Sequence, residues 1–186
     1  MKKNVLIGCF TVTAAIGTLL LHSPVAHADT GNYSETKYAK NGQLVLSTSG
    51  TWTSNASNGW VWFDDAKVTF EGESHLKWWG VNPFNADNII LTNTISVDKV
   101  WGSFSAGAEV GYPSGVSING GMTISSTENS QSYTYAVSNA WKNNVYYTYN
   151  ARVGGFWLTA NFKYSTTSVT QLGSDFYQQT TDEISI

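Results

Sequence analysis

The alternation of apolar and polar residues on either side of Gly154-Gly155 is the feature that most restricts what this chain can become. Read outward from that pair, Val153, Ala151, Tyr149, Tyr147 and Val145 face the same way as Phe156, Leu158, Ala160, Phe162 and Tyr164. The intervening positions are mostly polar, among them Arg152, Asn150, Thr148, Thr159, Asn161 and Lys163. A period of two belongs to a strand with one buried face. Adjacent glycines supply the positive φ values that a type I′ hairpin turn requires.

The pattern extends backward along the chain. Lys142-Asn143-Asn144, taken as a three-residue loop, brings Trp141, Val137, Tyr135 and Tyr133 onto the apolar face. Glu128-Asn129, taken as a two-residue turn, sets Ile124 opposite Tyr133 and Met122 opposite Tyr135. Pro113-Ser114-Gly115 as a further loop pairs Tyr112 with Val116. The expectation is a five-strand β-meander over residues 100–166.

An apolar face of this size must be covered, because each large side chain withdrawn from water contributes about 1.5–3 kcal/mol. Strands near 43–52, 59–70, 74–80 and 88–97 are the expected cover. No stretch shows the 3.6-residue apolar period of a helix. The fold class is therefore all-β, an antiparallel β-sandwich or a closed up-and-down barrel of eight to ten strands. Residues 42–186 make that single β domain, and the polar residues 29–41 read as a loose N-terminal segment.

Residues 1–28 follow the three-part pattern of a secretory signal peptide. Lys2 and Lys3 are followed by a 17-residue apolar run, Val5–Leu21, then by Pro24 and the small-x-small site Ala26-His27-Ala28. Cleavage after Ala28 is expected, with a secreted product. The alternative, a retained anchor, has a run slightly short for a span of about 20 residues. Leu6-Ile7-Gly8-Cys9 has lipoprotein-signal residue types, but its cysteine opens the apolar run rather than closing it.

Cleavage narrows the chemistry. It removes Cys9, His22 and His27, so disulfides and thiolate metal sites are excluded and His75 is the one imidazole left. It also removes two lysines, which leaves 8 basic residues against 13 acidic and a net charge of about −5. That balance, with no basic cluster in the sequence, argues against nucleic acid as a partner. It also argues against simple attraction to anionic membranes. Nothing in the sequence calls for a cofactor or fixes an oligomeric state.

Three sets of residues are candidates for chemistry. Glu71, Glu73 and His75 share one face of a strand and have the side-chain types of a divalent-cation site. Steps of about 7 Å along a strand set them too far apart to chelate without help, and Gly72 invites a bulge. Trp60, Trp62, Trp78, Trp79 and Trp157 are candidate platforms for a ligand, against the competing role of most strand aromatics as core. Trp157 is placed on the polar face opposite Arg152, and Tyr146 beside Lys163, each as a cation–π pair. For carboxylates, only Glu109 lies on the outer face of the meander, and no glycosidase pairing is evident.

The functional reading is a secreted, non-catalytic binding protein acting outside the cell or at its envelope, with a polysaccharide or an envelope protein as ligand. A membrane-acting pore-forming or antibacterial β protein is the first alternative, and membrane contact belongs to that reading alone. A secreted polysaccharide hydrolase is the second.

Overall fold

A computed structural model describes residues 29–55, 60–61, 66–80, 85–99, 102–111, 122–154 and 158–186. The signal-peptide region, Trp62, Trp157 and the Pro113-Ser114-Gly115 loop lie outside these residues. Among the described residues there is no helix. The strands are β1 (Asp29–Ala39), β2 (Leu44–Ser54), β3 (Trp60–Val61), β4 (Ala66–Trp78), β5 (Ala86–Lys99) and β6 (Ser103–Gly111). They continue as β7 (Met122–Ser126), β8 (Ser130–Ala140), β9 (Lys142–Gly154), β10 (Leu158–Leu172), β11 (Asp175–Thr180) and β12 (Ile184–Ser185).

Two antiparallel sheets face each other in a sandwich. One has five strands in the order β1-β2-β4-β9-β6, the other runs β11-β10-β5-β8-β7, and β12 and β3 also pair with β10. The core alternates as the sequence does. Val145, Tyr147, Tyr149, Ala151 and Val153 of β9 are buried, as are Ala160, Phe162 and Tyr164 of β10.

The facing of these residues is as expected, but the expected meander is not. β9 pairs with β4 and β6, whereas β10 pairs with β5, β11 and β12, so the two strands flanking Gly154-Gly155 lie in opposite sheets. β8 and β9 are likewise in opposite sheets, and so are β6 and β7. The physical reason is that burial phase has two solutions. A strand may turn back beside its predecessor, or arch over the core and face it, and the same residues point inward either way. Among the described residues the Glu128-Asn129 hairpin is the one realised, with Met122 opposite Tyr135 and Ile124 opposite Tyr133. Its edge position leaves Met122 and Ile124 exposed, so neither joins the core.

Three other expectations are corrected. Residues 29–41 are not loose: β1 pairs with β2 from Asp29 opposite Ser54 to Ala39 opposite Leu44. The turn between them carries positive φ at Lys40, Asn41 and Gly42, the conformation that an Asn-Gly pair favours. Lys142-Asn143-Asn144 is not a loop. The chain instead bends at Asn139, with φ of 51°, and Asn143 is buried, donating to the carbonyls of Ile89 (3.2 Å) and Tyr135 (3.1 Å).

Finally, β4 runs unbroken through Glu71-Gly72-Glu73 where two strands were expected. Gly72 makes no bulge, because it stands directly opposite Gly50 and the pair leaves room for a hydroxyl. A Cβ at Gly50 or at Gly72 would lie 2.7 or 2.8 Å from the Tyr33 oxygen.

That hydroxyl begins a polar seam through the middle of the core. Tyr33 shares a hydrogen bond with Tyr147 (2.7 Å), Tyr147 with Thr48 (3.0 Å), and Thr48 with Ser74 (3.0 Å). The seam then crosses to the other sheet, where the Asn93 amide oxygen accepts from Ser74 (2.9 Å) and Thr166 (2.8 Å). The Asn93 amide nitrogen donates back to Tyr149 (2.8 Å). Buried polar groups are tolerated when satisfied in this way. The Ser74–Asn93 hydrogen bond also ties the two sheets to each other across the core.

Candidate functional site

Both faces of β4 bear on the metal question. Glu71, Glu73 and His75 project from the outer face of the five-stranded sheet, as alternation requires. Their cross-strand neighbours in β2 are Thr51, Ser49 and Ser47, and in β9 Thr148, Tyr146 and Asn144. Among the described residues no three His, Cys, Asp or Glu side chains are grouped to hold a metal ion. His75 Nε2 instead lies 2.6 Å from Ser47 Oγ. Burial holds its pKa below the ordinary imidazole value, Lys77 adds to that lowering, and Glu73 opposes it. The neutral ring is therefore favoured, and its local role is to hold Ser47.

The Tyr146–Lys163 pair drawn from a β9–β10 hairpin does not form, and the Arg152–Trp157 pair lies outside the described residues. Tyr146 stands between Glu73 and Gly111, and Lys163 lies in the other sheet, paired with Asp98 (2.8 Å) and Glu183 (2.9 Å). Arg152 has Lys67 and Ser105 as cross-strand neighbours. Glu109 and Glu71 flank Thr148 from β6 and β4 on the same open sheet face.

The tryptophans are more informative. Trp60 lies in β3 opposite Thr159. Trp78 ends β4 and Trp79 follows it, and the two differ in exposure: Trp78 is 9% exposed and Trp79 is 58% exposed. Trp141, expected in the core, is 44% exposed at the same end of the sandwich, because it falls in the connection between sheets rather than within a strand. The Trp79 and Trp141 rings lie 6.4 Å apart at 53°.

This end is tied together by the backbone. Trp78 N–H donates to Trp141 O (2.8 Å), and Trp79 N–H donates to Gln43 O in the β1–β2 turn (2.7 Å). Asn85 donates to Asn139 (3.2 Å), and Gly173 N–H, in the β10–β11 turn, donates to the Asp87 carboxylate (2.6 Å). Gly80 lies so close to the Trp78 indole that a Cβ there would come within 2.6 Å of it. The aromatic rings are thus carried on pinned main chain.

Cations fill the spaces between the rings. The Lys40 ammonium sits 5.3 Å from the Trp78 ring and 4.7 Å from the Tyr177 ring, and it donates to the Tyr177 hydroxyl (3.1 Å). The Lys142 ammonium is 5.0 Å from the Trp141 ring. Such contacts are worth about 0.5–1 kcal/mol at exposed sites and hold a flexible lysine in place. Tyr38, 67% exposed, continues the rim on the outer face through Val45, its partner in β2.

Exposed tryptophan on a pinned backbone is a different matter from a scattered surface leucine. Exposed aromatic surface rimmed by polar groups is a feature to be weighed as a candidate site. Of the five expected tryptophans, Trp78 and Trp79 thus lie at one end of the sandwich, where Trp141, Lys40 and Lys142 also fall. The signal for Trp141 was present in Asn139, two residues earlier, a residue type that tolerates positive φ.

Fold and site together define a two-sheet β-sandwich that presents a fixed aromatic and cationic rim at one end. No protein-family model matches the chain. No curated protein matches its sequence. Among solved structures, one distant likeness is the KRT10-binding region domain of the pneumococcal serine-rich repeat protein PsrP. It is 10% identical, with 83% of this chain and 99% of that chain covered and a TM-score of 0.43. Another is a chain from the structure of manganese lipoxygenase of Gaeumannomyces graminis and part of the zonadhesin of Komagataella pastoris. It is 7% identical, with 88% of this chain and 76% of that chain covered and a TM-score of 0.32. Likenesses of this degree say nothing of function.

Proposed function

We propose that the protein is exported and works as a non-catalytic binding protein outside the cell or at its envelope, gripping a polysaccharide with the aromatic rim. One observation carries the reading: Trp79 and Trp141 are held as a tilted, solvent-facing pair by main-chain hydrogen bonds instead of being buried. Indole faces are electron-rich, and the C–H-bearing face of a sugar ring complements them, while hydroxyls on the ring edge take hydrogen bonds from flanking polar groups. A preformed platform of this kind loses little entropy when it binds. Export is supported by the signal-like sequence of residues 1–28.

The test is retention of the secreted protein on insoluble polysaccharides and envelope fractions, with the mature N-terminus read by mass spectrometry. Retention with an N-terminus at Asp29 supports the proposal. A chain that stays uncleaved, or is retained on no glycan, contradicts it. One observation favours a second reading: Trp, Tyr and Lys together are also the residues of a membrane–water interface. Dye release from liposomes, with oligomers formed on them, would support that reading instead.

A further inference from the structure

We infer that the glycan taken by this rim is acidic, bearing carboxylate, sulfate or phosphate groups on the sugars that stack. The inference rests on the proposed glycan-binding role and adds the class of ligand. Its main support is a conflict in the outer row of the five-stranded sheet. Lys77 of β4 and Lys142 of β9 are direct cross-strand partners. Like charges in that position repel and destabilise a sheet.

Nothing among the described residues relieves the conflict. The carboxylate pairs go to other lysines, Asp182 to Lys37, and Asp98 and Glu183 to Lys163. The Asp87 carboxylate, which lies at this end, accepts from Gly173 N–H. Glu73, the nearest glutamate of β4, is two same-face positions further along the strand from Lys77.

The conflict also lies where the ligand would. The Lys142 ammonium is 5.0 Å from the Trp141 ring, and Lys40 stands beyond Trp78. The chain as a whole is acidic, with a formal net charge of −3. An uncompensated cationic row beside the exposed indoles is therefore a local feature. An anionic substituent on a stacked sugar would sit between Lys77 and Lys142 and turn their repulsion into attraction. This sequence-distant grouping also explains why no basic cluster is visible along the chain. Lys77 and Lys142 come together only through the sheet.

The experiment uses the full secreted chain on an immobilised array of neutral, uronate, sulfated and phosphate-bearing glycans at low and moderate salt. A Lys77→Gln/Lys142→Gln double variant and vesicles of phosphatidylglycerol complete the set. The expected result is retention on acidic members that weakens with salt, and a loss of about five- to twenty-fold for the double variant on those members alone. Equal binding of neutral and acidic glycans, unchanged in the double variant, overturns the inference and leaves the glycan-binding role standing. Binding to vesicles and to no glycan overturns both. The double variant removes a repulsion, so its unfolding midpoint should match or exceed that of the parent, which separates lost binding from lost folding.

Discussion

Alkaline titration probes the interior of this sandwich at its hydroxyls. Tyr33, Tyr147, Tyr149 and Tyr164 are buried in the seam. Burial raises the pKa of each well above the ordinary value, and the charge of a neighbouring tyrosine raises it further. The sign follows from linkage. A group whose folded pKa is raised keeps its proton in the fold and releases it on unfolding. Its contribution is intact below the unfolded value of about 10 and falls as pH rises past that point. At pH 11 each tyrosine that stays protonated costs the folded state roughly 1–2 kcal/mol, so four cost roughly 6, and by pH 11.5 the total is roughly 8 kcal/mol. A domain with stability of about 5–15 kcal/mol should then unfold cooperatively near that pH. Far-ultraviolet circular dichroism and tyrosinate absorbance followed together provide the assay. The two signals should change in one step. Ionisation of these tyrosines near pH 10 with the sheet signal intact would refute the reasoning.

Other perturbations follow from single residues. Replacing Gly72 with Val drives a side chain against Tyr33 and the facing backbone, and should cost about 1–3 kcal/mol in denaturant unfolding, since overpacking has no room to relax. Asn143→Ala leaves two buried carbonyls, those of Ile89 and Tyr135, without their donor, and should cost about 2–4 kcal/mol in the same measurement. Acidification should weaken the fold through His75. Its lowered folded pKa means the unfolded chain takes up a proton first, so stability declines as pH falls from about 6.5 to the folded value and then levels. His75→Asn should flatten that portion of the thermal-unfolding profile. Lys77→Glu should raise stability by about 0.5 kcal/mol by replacing a repulsive cross-strand pair with an attractive one, while abolishing retention on acidic glycans.

The sandwich was legible because burial alternates with a period of two, and the residues that face inward in β9 and β10 are the ones the alternation selects. Pairing was much less legible. Glu128-Asn129 closes a true hairpin, whereas Gly154-Gly155 sits where the chain passes from one sheet to the other, and the phase of the flanking residues is the same in both cases. Strand β1 was overlooked because its single buried aromatic, Tyr33, gives little periodic signal, although the Asn41-Gly42 turn that closes it was there to be read. The rim was half visible. Trp78 and Trp79 stood out as candidates, but Trp141 and the lysines meet them only through pairings between β2, β4 and β9 that lie far apart in the chain.

The account turns on the tilted tryptophan pair, and the most direct measurement removes it. Isothermal titration of a retained polysaccharide into the secreted protein and into a Trp79→Ala/Trp141→Ala variant compares the two surfaces, with thermal unfolding as the control for folding. Both side chains are substantially exposed, so the midpoint should stay close to that of the parent while heat of binding disappears. A variant that binds as the parent does, with the fold intact, would contradict the assignment of the rim as the ligand-binding site.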